Sequence, residues 1–130
     1  AGNIVGCFIM GMVSRVSHLE INQAAQNLLS LRLERGPLCC GLLGIPCGFM
    51  MTTAVTFARK QHYIPLLLAV PLFIVCGFTH CVADAFYYSC VPFDFIQEHA
   101  LQTLIVYLSI VLGNLIGCNL FRIVLPDHEF

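Results

Sequence analysis

Polar and apolar positions in this chain are sorted into blocks rather than interleaved. No charged residue occurs between Gly36 and Ala58, and none between Ala100 and Phe121. From Tyr63 to Phe93 the ionisable groups other than Cys and Tyr are His80 and Asp84. Each block reaches the ~20 residues that a helix needs to cross about 30 Å of hydrocarbon. A shorter uncharged run, Ala1 to Ser14, reads as a span cut off at its start, so the chain is expected to be a fragment of a longer product. The pattern predicts an all-α, polytopic transmembrane bundle. It forms one transmembrane domain over 1–130, with spans at about 1–16, 37–58, 63–91 and 101–124. A polar connector, 17–35, separates the first two spans. Its Ile21, Ala25, Leu28, Leu29 and Leu33 fall near helical spacing, as in an amphipathic segment on a membrane surface or an ordinary loop.

Composition agrees. The 130 residues are 58% hydrophobic and 10% charged, against about a quarter charged in a soluble domain. A net charge of -1 with no basic patch excludes nucleic acid as an expected partner. Arg15, Arg32 and Arg35 fall on one side of the predicted spans and Arg59, Lys60 and Arg122 on the other. Positive charge therefore does not choose an orientation. The eight cysteines lie in or beside apolar runs without a CxxC pair or zinc spacing. They read as small packing residues. No metal, cofactor or catalytic constellation is expected, and an enzyme is the least favoured class.

Two words repeat. "GNIVGC" covers Gly2–Cys7 and "GNLIGC" covers Gly113–Cys118, each a GxxxG pair enclosing an asparagine. Small residues at this spacing let membrane helices approach closely. The same word on spans of opposite direction is also what an inverted-topology repeat leaves behind.

A third word, "CGFTHCVADAF" (Cys76–Phe86), sets His80 and Asp84 inside an apolar run, with Pro71 and Gly77 before them. A polar side chain in hydrocarbon costs several kcal/mol without a partner, so an ionisable one marks a functional candidate. Pro71 and Gly77 are expected to interrupt the helix, with His80 facing the gap. Histidine changes charge near neutral pH and is suited to proton exchange. Its structural alternative is a pairing with Asp84 one helical turn away.

At these residues the chain resembles the formate/nitrite transporter family, which usually carries G-F-E-H-x-x-A-N-M-F here. This chain has Gly77, Phe78, Thr79, His80, Ala83, Asp84, Ala85 and Phe86. "LGNLIGC" is similar to that family's last helix, and "GIPCGFMM" (Gly44–Met51) to its fourth. The resemblance implies part of an inverted-repeat, six-helix channel fold with an interrupted fifth helix, this chain matching helices 3 to 6. It implies pentamers with one pore per protomer, both chain ends in the cytoplasm and a multi-pass place in the cell (inner or plasma) membrane. By the same resemblance His80 is the central pore histidine and Phe73 a cytoplasmic-side constriction. Met51 belongs to the outer constriction, Arg32 stands in the outer vestibule, and Asn114 is the asparagine of the last helix. Thr79 replaces a glutamate, Asp84 and Gly48 replace asparagines, and Arg32 replaces a lysine.

The expected function is a channel or proton-coupled transporter for small monovalent anions such as formate or nitrite, whose other partners are protons and the bilayer. The anion is drawn in by Arg32, protonated near His80, and hydrogen-bonded by Thr79 and Asn114. It then crosses the barrier of Phe73 and Met51 as a neutral acid. The second expectation is a truncated, non-conducting membrane subunit. A neutral-solute channel of the aquaporin type is disfavoured by the lack of an NPA word.

Overall fold

The computed structural model describes residues 2–17 and 19–124. These form six helices: α1 Gly2–Ser17, α2 Leu19–Arg59, α3 Ile64–Val75, α4 Cys81–Cys90, α5 Phe93–Glu98 and α6 Ala100–Val124. There is no strand among the described residues. The architecture is all-helical, and α2 and α6 are long and apolar enough to cross a membrane. The polar tail after Val124 lies outside the described residues.

Helix α2 has two arms. Gly36 stands at φ 78°, ψ 167°, a backbone region that an L side chain rarely enters. Pro37 follows and restarts the helix, its fixed φ and missing N–H suiting a first turn. The second arm therefore begins where the sequence places the second span. The first arm, 19–35, is helical, as the spacing of its apolar residues anticipates. Its stripe is a bundle face rather than an isolated surface segment. Ala25 and Leu29 are fully buried in one cluster with Tyr88, Cys90 and Val91.

The second arm of α2 packs along α6. Gly41 meets Gly113, Ile45 meets Gly117, and the rings of Phe49 and Phe121 meet edge-on at 5.9 Å. Both numbers rise together, so the two helices run parallel, towards Arg59 and Arg122. A Cβ on Gly113 or Gly117 would collide with the carbonyl oxygen of Gly41 or Ile45. This GxxxG is thus a contact surface. Its counterpart is not: Gly2 and Gly6 have nothing within 4 Å of an added Cβ, and Asn3 is exposed.

Helix α1 lies against α4 through Gly11, which abuts Ser89 and Phe86. Arg15 closes the far end. It donates from Nε to the Ser89 carbonyl at 2.7 Å and from Nη2 to that of Val91 at 2.5 Å. A cation there meets the negative end of α4. Much apolar surface faces outward, with Val16 90% and Val75 84% exposed. In water such area is unfavourable; against lipid or another subunit it is not.

The span predicted over 63–91 is two helices, α3 and α4, separated by Cys76–His80. The break is where it was expected, but one of its causes is not. Pro71 sits inside α3, which continues to Val75. A proline removes one backbone hydrogen bond and can be absorbed as a bend. The chain leaves the helix at Gly77, whose φ is 66°.

Candidate functional site: the break between α3 and α4

A break in a helix strands backbone donors and acceptors, and each needs a partner. The amides of Cys76, Gly77 and Phe78 fold back onto Leu72, Ile74 and Phe73 carbonyls at 2.9, 3.1 and 3.1 Å. The carbonyls of Gly77 and Phe78 accept from Arg32 of the first arm of α2, at 3.2 and 3.4 Å. Thr79 is 0% exposed. Its hydroxyl donates to the Cys40 carbonyl at 2.7 Å.

Asn114 of α6 serves both sides of the break. Its Nδ2 donates to the carbonyls of Thr79 at 2.9 Å and Gly44 at 3.1 Å, while its Oδ1 accepts from the Cys81 amide at 3.1 Å. One side chain thereby ties α2, α6 and the start of α4 together. Tyr107, also on α6, donates to the Cys81 carbonyl at 3.0 Å.

His80 is the N-cap residue of α4. Its Nδ1 accepts from the Ala83 amide at 3.2 Å. A ring nitrogen that accepts carries no hydrogen, so this bond assigns the neutral ring's proton to Nε2. The ring stacks on Phe73 with centroids 5.5 Å apart and planes 23° apart.

Beside the break lies a cavity of about 650 Å³, lined by Arg32, Arg35, Phe73, His80, Asp84 and Tyr87 among others. Arg32 is only 5% exposed and its Nε stands 3.7 Å from Asp84 Oδ1, the carboxylate being 1% exposed. Two of the departures from the family pattern thus meet as a buried ion pair.

The structure brings His80, Phe73, Arg32 and Asp84 to one cavity, and corrects three expectations. Arg32 is not an open vestibule cation, because Asp84 and two carbonyls hold it. Thr79 and Asn114 do not offer their hydrogen bonds to a solute, since these are committed to backbone groups. Met51 does not lie across the break from Phe73, as two separate constrictions require. It lies seven residues beyond Gly44, about 10 Å further towards Arg59, which is the α3 side of the break. It lines no part of this cavity.

Arg35, Tyr87 and Tyr107 were missed. Arg35 had a legible signal, since three residues after Arg32 is the same side of a helix. The tyrosines had none. The eight cysteines are free thiols. Among the described residues no three His, Cys, Asp or Glu side chains converge as a metal ion would require.

A family profile described as formate/nitrite transporter matches residues 1–126. No curated protein and no solved structure matches the chain. The match takes in the paired α2 and α6, the break and the histidine that caps it, and the chain belongs to the formate/nitrite transporter family, whose members are membrane-embedded transporters of small anions.

Proposed function

We propose that this protein carries small monovalent anions, formate or nitrite in class, past His80 with a proton. The observation that supports this most is the ring of His80 lining a cavity at the break between α3 and α4, stacked on Phe73, with the guanidinium groups of Arg32 and Arg35 lining the same cavity. A bare carboxylate in apolar surroundings meets a Born cost on the order of tens of kcal/mol, so it crosses far more readily as the acid. The charged ring gives a proton to an anion oxygen. An O–H bond forms, a ring N–H breaks, and neutral acid and neutral ring remain. Phe73 supplies the dry surface next to it.

The N-cap bond couples this step to the backbone. A second proton on the ring puts a hydrogen on Nδ1, facing the Ala83 amide donor to donor. Charging His80 and capping α4 through Nδ1 are therefore mutually exclusive. In this reading Thr79 and Asn114 hold the break in shape. The chain crosses the cell membrane several times, assembles as a pentamer, and keeps the Arg59–Lys60 turn in the cytoplasm. The similar words at Gly2–Cys7 and Gly113–Cys118 are read as the trace of an inverted-topology repeat.

The test is uptake of labelled formate and nitrite by proteoliposomes containing the protein, at several external pH values. Saturable uptake that quickens as external pH falls is expected. No flux above empty vesicles, or flux indifferent to pH, overturns the proposal.

A further inference from the structure

The charged side chains that line the His80 cavity are Arg32, Arg35 and Asp84. Arg32 and Asp84 are buried and 3.7 Å apart, and their charges largely cancel. Glu34, between the two arginines in sequence, faces a separate groove with Phe95 and His99. The cavity's net positive charge is therefore that of Arg35.

Arg35 differs from Arg32 in every respect that matters for recruiting a solute. It is exposed, and it has no hydrogen bond or ion pair among the described residues. Its Nη1 reaches to 3.9 Å from the position a Cβ on Gly77 would occupy, and Gly77 has none. The free guanidinium thus stands over the bare backbone of the break, in the cavity that His80 lines. A guanidinium presents paired N–H donors in one plane, a match for the two oxygens of a carboxylate or of nitrite.

Resting on the transport reading above, we infer that Arg35 is the anion-binding residue of this cavity, taking a small planar monovalent oxyanion. Arg32 is a positioning residue, which holds the Gly77 and Phe78 carbonyls and Asp84.

Arginine labelling by phenylglyoxal, located by fragment mass spectrometry of the intact chain in detergent, tests this without requiring transport. Arg35 is expected to react and Arg32 to stay unreacted. Formate should protect Arg35, at constant ionic strength set with gluconate. At about ten times the half-protecting concentration, labelling slows about tenfold by mass action. In proteoliposomes Arg35→Gln should raise the half-saturating formate concentration severalfold, and Arg35→Lys should restore part of it. Unreactive Arg35, formate-indifferent labelling, or protection of Arg32 instead overturns the assignment. Protection of Arg35 without flux keeps this site and removes the transport reading. Flux without protection does the reverse.

Discussion

Arg32 Nε lies 3.7 Å from Asp84 Oδ1, and neither side chain reaches water to any useful extent. The arginine comes from the first arm of α2 and the aspartate from α4, so the pair locks one element to the other beside the break. Removing one partner of such a pair leaves an uncompensated buried charge. Asp84→Leu should therefore lower stability by about 3 kcal/mol, and adding Arg32→Met should recover part of that loss, the Gly77 and Phe78 carbonyls losing their donor. Thermal unfolding in detergent of both single variants and the double closes the cycle. Additive effects would remove the coupling.

The proton-carrying role proposed for His80 is separable from its N-cap bond. His80→Phe loses both the titrating ring and the acceptor for the Ala83 amide, and should cost about 0.5–2 kcal/mol of stability as a lost N-cap. His80→Asn keeps an acceptor at the cap but cannot titrate. It should unfold near the unaltered protein while losing the rise of uptake at acid pH. The sign follows from the proton being a reactant: more acid outside, faster entry. Acid-stimulated uptake surviving in His80→Asn would exclude the ring as the proton carrier.

Asn114 and Asn3 occupy the same place in a repeated word, yet their surroundings differ. Asn114 is 6% exposed with three backbone partners, whereas Asn3 is exposed. Asn114→Leu strands the Thr79 carbonyl and the Cys81 amide, at about 1–3 kcal/mol for each buried group left unsatisfied. Asn3→Leu should change little. Unfolding temperatures of the two variants measured side by side would decide, and equal losses would contradict this placement.

The glycines of the two words divide in the same way. Gly117→Ala drives a methyl into the Ile45 carbonyl and should cost about 1–3 kcal/mol or more as the α2–α6 pair parts. Gly6→Ala meets open space and gains helix propensity. Protease resistance of the reconstituted variants reads the difference. A stable Gly117→Ala would disprove the close approach.

The amino-acid order alone pointed to the long apolar stretches of α2 and α6 and to the break near Gly77. Both depend on local chemistry: the length of an uncharged run and a missing side chain. It also placed Ala25 and Leu29 on one helix face, though not what that face would meet. Only the tertiary structure decided the partners. It committed Asn114 and Thr79 to backbone groups rather than to a solute, set Met51 on the α3 side of the break, and gave Arg32 to Asp84. It also separated two similar words, packing one and exposing the other. Those outcomes depend on which helices lie side by side and in what register, and residues as distant as 32 and 84 have no local signal of meeting. A side chain's hydrogen-bonding capacity is written in its residue type. Whether that capacity is left for a ligand depends on which backbone groups the fold strands beside it.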